Sequence, residues 1–90
     1  MPSQTVTLKN ETGLHARPAR VFSKKAKEFD CDVTVVKTNG EADPVNAKST
    51  LSVLTLDCLQ GDEIEIATDG ADEDDALKTL IDLVESGLGE

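Results

Sequence analysis

Gly13-Leu14-His15-Ala16-Arg17-Pro18-Ala19 reads as a sharp turn that runs directly into a helix, and the elements on either side follow from it. Gly13 tolerates φ > 0 and lets the backbone turn tightly or come close to a ligand. Pro18 has its φ preset near the helical value and lacks an N–H, which suits the first turn of a helix. Beyond it, Ala19, Phe22, Ala26 and Phe29 recur at i, i+3, i+7 and i+10, and this spacing predicts an amphipathic helix from about Ala16 to Phe29. His15, the only histidine, therefore lies at or next to the N-cap. A helix N-terminus offers unpaired backbone N–H groups and partial positive charge, which together hold anions such as phosphate. Arg17 adds a planar fork of donors matched to phosphate oxygens. A neutral imidazole keeps a free ring nitrogen, which is a nucleophile. The stretch is thus a candidate phosphoryl acceptor. The plainer reading, an exposed loop histidine before an ordinary helix start, stands beside it on residue types alone.

Outward from this helix the chain alternates. Thr5-Val6-Thr7-Leu8 is a predicted strand with Val6 and Leu8 inward, and 9–13 is loop. Cys31 to Lys37 is a second strand rich in β-branched residues. Asn39-Gly40 signals a hairpin, and a third strand follows near Val45 to Lys48 after a rather long loop in which Pro44 marks an edge or a turn. Ser49 to Leu54 is a short helix with Ser49 as N-cap. Gln60-Gly61-Asp62 turns the chain into Glu63-Ile64-Glu65-Ile66-Ala67, isoleucines in and glutamates out, closed by Asp69-Gly70. A last helix begins near Asp72 with an acidic first turn that suits its dipole, and buries Leu77, Leu80, Ile81, Val84 and Leu88, with Gly87 as a stop. The order β-α-β-β-α-β-α, with strands apolar on one side only, predicts one α+β domain over residues 1–90. In it a mainly antiparallel sheet carries helices on one face.

Composition narrows the function classes. The formal net charge is −9, and it is unevenly placed. Residues 1–48 hold eight Lys/Arg and six Asp/Glu, whereas residues 49–90 hold one Lys and twelve Asp/Glu. That balance argues against nucleic-acid binding. Lys24, Lys25 and Lys27 read as a solvated helix face, while Arg17 and Arg20 are close enough to the helix start to serve an anion. No apolar run is long enough for a membrane span and the polar N-terminus does not read as a signal peptide, so a cytoplasmic protein is expected. Cys31 and Cys58 fall in none of the metal or redox spacings and are expected as reduced, partly buried thiols. With one histidine and no cysteine pair, no metal site is expected.

The seven-residue string resembles the active-site motif of the histidine-containing phosphocarrier family, HPr, of the phosphoenolpyruvate-dependent sugar phosphotransferase system. The resemblance covers nearly the whole chain: Asn46-Ala47-Lys48-Ser49 before a short apolar helix is similar to the family's second signature, and Gly70-Ala71-Asp72-Glu73 with the leucine-rich closing helix completes it. It implies an open-faced β-sandwich, a four-stranded sheet with three helices on one face. It also implies a stoichiometric carrier rather than an enzyme, with no cofactor of its own. His15 would accept phosphate on Nδ1, Arg17 would contact it, and the backbone of Ala16 and Arg17 would steady it. The implied partners are the system's first enzyme and a sugar-specific acceptor component, met through a surface including Arg20, Thr50, Leu51 and Leu54. A monomer is implied.

Two departures from the family pattern are visible. The loop after Asn39-Gly40 is longer by a few residues, and Thr50-Leu51-Ser52-Val53 is more polar than the usual start of that helix. Some relatives are phosphorylated by a kinase at the serine matching Ser49; a plain N-cap is the simpler role. The alternatives are a regulatory module of the same fold controlled at Ser49, or a carrier serving a dihydroxyacetone kinase or a nitrogen-regulatory branch. A metal-independent hydrolase lacks an identifiable set of nucleophile, histidine and acid.

Overall fold

The apolar side chains Val6, Val33, Val35, Ile64 and Ile66 fall at alternate positions along their strands, and in the computed structural model, which describes residues 2–38 and 43–88, they are buried on one face of the sheet. The elements are β1 (Ser3–Thr7), α1 (Ala16–Ala26), β2 (Asp32–Lys37), β3 (Val45–Asn46), α2 (Thr50–Leu54), β4 (Glu63–Asp69) and α3 (Glu73–Glu85). The sheet order is β1-β4-β2-β3 and its pairings are antiparallel. β4 therefore lies between β1 and β2, which run parallel to one another without touching, and α1 makes the long crossover that parallel strands require. α2 makes the corresponding crossover between β3 and β4, on the two sides of β2.

The register assembles the core. Val6 lies opposite Ile64, Val35 opposite both Ile66 and Val45, and Val33 opposite Thr68. All of these are buried except the half-buried Val45. The other face, with Thr5, Thr7, Glu63, Glu65 and Asp32, is exposed. α1 closes the buried face with Ala19, Phe22 and Ala26, and α3 with Ala76, Leu77, Leu80, Ile81 and Val84. Each large side chain hidden in this way contributes roughly 1.5–3 kcal/mol. The expected open-faced α+β sandwich is what forms.

Several boundaries differ from expectation. α1 ends at Ala26, not Phe29: Glu28 N–H bonds Lys25 O at 3.1 Å and Phe29 N–H bonds Ala26 O at 3.3 Å, i→i+3 bonds that tighten and stop the helix. Phe29 still packs on the core, and its carbonyl accepts from Lys48 Nζ at 2.7 Å. β1 begins two residues early and ends at Thr7; the buried Leu8 lies just past it, its N–H bonded to Asp62 O at 2.9 Å. β3 is shorter than the predicted Val45 to Lys48, although Ala47 N–H still bonds Val33 O at 2.9 Å. β4 runs on to Asp69 because Thr68 is buried, with Oγ1 donating to Glu73 O at 2.8 Å. The hairpin at Asn39-Gly40 and part of the long loop lie outside the described residues.

The last helix starts near Asp72 as expected, with Asp72 as the N-cap residue of α3, but its carboxylate does not cap that helix. It accepts instead from Asp30 N–H and Cys31 N–H, each at 2.9 Å, and so ties the start of β2 to the start of α3. These donors, Asp30 N–H foremost, hold the Asp72 carboxyl below the ordinary carboxylate range. Cys31 and Cys58 are free thiols, fully rather than partly buried. Burial is the main reason each is pushed up to about 11, with the hydrogen bond to Asp72 adding to it at Cys31. Past α3, Gly87 has φ +94 and the buried Leu88 folds back to bond Leu83 O at 3.1 Å, so Leu88 belongs to the core but not to the helix. No helix of the described residues is long and apolar enough to cross a membrane.

Candidate functional site

Two loops meet where the first helix begins. Asn10 is buried and donates from Nδ2 to Gly13 O at 2.7 Å, while Gly13 N–H returns to Asn10 O at 3.2 Å. Gly13 then turns with φ +63. Leu14 drops into the core and its N–H bonds Cys58 O at 3.1 Å, which joins the loop before α1 to the loop after α2. A Cβ at Gly13 would overlap Cys58 O and lie 2.7 Å from Leu59 Cα, so only glycine allows this approach.

His15 follows this anchor and is held by it. It is the N-cap residue of α1, extended at φ −127° and ψ 158°, yet its side chain makes no cap hydrogen bond. The ring is therefore free of its own helix, and 33% of the side chain is exposed. Nε2 sits 3.3 Å from Asp57 Oδ1, on the loop that Leu14 grips. Ala16, the first residue of α1, has φ +49, and Asp57 has φ +52. Among the described residues only Ala16, Asp57 and Leu88 combine a side chain with positive φ, and two of the three adjoin the imidazole. Such a backbone costs about 1–3 kcal/mol per residue and is concentrated at functional sites.

Arg17 is exposed on the first turn of α1, and the side chain that lies 3.3 Å from the imidazole Nε2 is that of Asp57. The N–H groups of Ala16 and Arg17 are the first two of the helix, where no carbonyl of the same helix is placed to accept from them. Arg20 is exposed one turn further on. Lys24 and Lys25 fall in the last turn, where cations suit the helix C-terminus, and Lys25 pairs with Glu28 at 3.3 Å; this is the solvated face the sequence suggests.

α2 packs beside α1 and completes the surroundings. Ser49 Oγ accepts from Ser52 N–H at 3.3 Å, the N-cap role. Thr50 is half-buried, Leu51 is 76% exposed, and Leu54 is half-buried against the core. Leu59, 57% exposed, was not singled out by sequence reasoning. Nor was Asp57: it lies far from His15 along the chain, and no spacing links the two before the fold forms. Clefts of about 320, 390 and 330 Å³ are lined by α3 with Gln4, by Lys9, Asn10, Glu11 and Gly87, and by β2 with β3. None of these three touches His15. Among the described residues no three metal-ligating side chains cluster. A partly exposed imidazole at a helix start is accessible to a group that a partner brings.

Comparison with known proteins gives the same direction. A family model described as the PTS HPr component phosphorylation site matches residues 2–86. The phosphocarrier protein HPr of Neisseria meningitidis serogroup A is 38% identical over 90 residues, covering 100% of this chain and 98% of that protein. The multiphosphoryl transfer protein of Escherichia coli O157:H7 is 36% identical over 88 residues, but this chain spans only 23% of its length. Among solved structures, HPr-C-His from Thermoanaerobacter tengcongensis superposes with a TM-score of 0.91 at 40% identity, over 100% of this chain and 98% of that one. An HPr dimer from the same organism matches at 0.75.

Proposed function

The chain belongs to the HPr phosphocarrier family of the phosphotransferase system, and from that premise we propose that His15 Nδ1 takes a phosphoryl group from the phosphoenolpyruvate-dependent first enzyme and passes it to a sugar-specific component. The observation that carries this reading is the released imidazole: His15 caps α1 with its backbone alone, leaving a partly exposed ring at the positive end of a helix. In the transfer, the bond from phosphorus to the donor breaks as the P–N bond to Nδ1 forms, and the bonding pair leaves with the donor. The protein's part is positioning and charge stabilisation. Arg17, flexible and exposed, closes on the phosphoryl oxygens, and the N–H groups of Ala16 and Arg17 face the same charge. Any magnesium sits with the partner that uses phosphoenolpyruvate.

Both partners dock on the surface formed by the start of α1 and by α2. Leu51 is its apolar centre because it is the most exposed large apolar side chain of the described residues, and Arg17 and Arg20 of the adjoining α1, with Thr50 of α2, supply its polar part. Leu54 is marginal there, since it packs partly on the core. The chain acts as a monomeric carrier in the cytoplasm. Regulation at Ser49 draws less support, because Oγ already serves as the acceptor for Ser52 N–H.

The test is mass spectrometry after incubation with phosphoenolpyruvate and a purified first enzyme. One acid-labile phosphate is expected on the wild type and none on His15→Ala, whose melting temperature stays within a few degrees because the ring is not core. Labelling of His15→Ala, or none of the wild type by a partner shown to be active, would reject the reading.

A further inference from the structure

We infer that Asp57 is a positioning residue for His15: its carboxylate holds the imidazole with the proton on Nε2, so that the lone pair is presented on Nδ1. The inference deepens the carrier reading and rests on it for the transfer step. Three observations support it. Nε2 and Asp57 Oδ1 are 3.3 Å apart. The two residues belong to loops that the Leu14 N–H to Cys58 O bond and the close approach at Gly13 hold together, so the pair is built by the backbone beneath it. Asp57 also occupies φ +52, a conformation that aspartate tolerates better than most residues, right after its N–H closes the turn to Leu54 O at 3.3 Å.

The chemistry follows from the donor inventory. A neutral imidazole carries one N–H, and an ionised carboxylate can only accept. The ring therefore turns its N–H toward Asp57, and the nitrogen carrying the proton is decided by the partner of the other. When Nδ1 attacks phosphorus, the P–N bond forms, the bond to the donor breaks and Nε2 keeps its proton throughout. The ring gains positive charge in that step, and the carboxylate at Nε2 offsets it. Asp57 touches neither phosphorus nor donor; it acts through the ring.

Asp57 is 82% exposed, so the effect is the modest one of a solvated pair. Removing the carboxylate is expected to slow phosphoryl acceptance roughly two- to five-fold. The experiment is 15N NMR of His15 at a pH where the ring is neutral, on wild type, Asp57→Asn and Asp57→Gly, alongside the rate of labelling by phosphoenolpyruvate and the first enzyme. Glycine suits the positive φ, so Asp57→Gly keeps the fold even if asparagine does not. The expected result is a clear Nε2–H tautomer in the wild type, a mixture in both variants, and slower labelling of both. Ring nitrogen shifts that are the same in all three proteins, or labelling rates that do not change, overturn the inference. The tautomer is read without any phosphoryl donor, so a failure of the carrier reading appears separately, as an unlabelled wild type.

Discussion

Gly13→Ala tests whether the loop that presents His15 is set by one close backbone approach. The perturbation adds a single methyl group at φ +63, where it overlaps Cys58 O and lies 2.7 Å and 2.8 Å from Leu59 Cα and C. The left-handed backbone alone costs an alanine about 1–2 kcal/mol. The atoms met are main chain and cannot rotate away, so the loop must shift, and overpacking of this kind adds about 1–3 kcal/mol. A total near 3 kcal/mol is expected, which for a domain of this size lowers Tm by roughly 12–24 °C. Gly61→Ala supplies the control: it also has positive φ, +91, but nothing lies within 4 Å of the added carbon. It carries the backbone cost alone, about 1–2 kcal/mol. Urea unfolding of both variants, followed by circular dichroism, gives the difference directly. If Gly13→Ala loses no more stability than Gly61→Ala, the contact with residues 58 and 59 does not set the loop and the reasoning fails. If it holds, the shifted loop also moves the ring, and a misplacement near 1 Å lowers transfer by up to about a hundred-fold.

Arg17→Ala is expected to slow phosphoryl acceptance by roughly ten- to a hundred-fold through lost charge-assisted hydrogen bonds, with Tm unchanged because the side chain is exposed; unaltered kinetics would remove Arg17 from the site. Acid destabilisation should trace in part to Asp72 and Asp62, whose carboxyls are held low by hydrogen-bond donors (the Asp30 and Cys31 N–H groups for the first, the Leu59 N–H and then the Lys37 ammonium for the second). A depressed folded value means the unfolded chain binds more protons in acid, so this stability is present above the ordinary carboxyl value of about 4 and is lost as pH falls through the folded values. Urea midpoints between about pH 2 and pH 7 should therefore vary less steeply in Asp72→Asn than in wild type; parallel curves would contradict the assignment. Both thiols, raised to about 11, should resist a thiol reagent at about pH 8 in the native protein and react together on unfolding; one rapid equivalent under native conditions would show an exposed thiol.

What was legible in the sequence is what depends on local pattern. Period-2 alternation in Val6 to Leu8 and Ile64 to Ile66, period-3.6 recurrence in α1 and α3, and Ser49 and Pro18 as helix-start signals each act within a few residues. They survive folding because the tertiary structure agrees with them. The position of His15 at the N-cap is of the same kind. Boundaries were less legible because they depend on contacts with no periodic signal: past the i→i+3 bonds that stop α1 at Ala26, Lys48 donates to the Phe29 carbonyl and Asp72 accepts from the next two N–H groups, and β4 extends where Thr68 donates to Glu73 O. The strand order β1-β4-β2-β3 likewise depends on pairing between remote segments. At the site itself, His15, the helix that follows it and the neighbouring Arg17 are legible in the chain. Which group faces Nε2 is settled only by the fold. Asp57 reaches His15 through the Leu14 to Cys58 backbone bond and the bare side of Gly13, and contacts closed over such a separation leave no periodic trace in the chain.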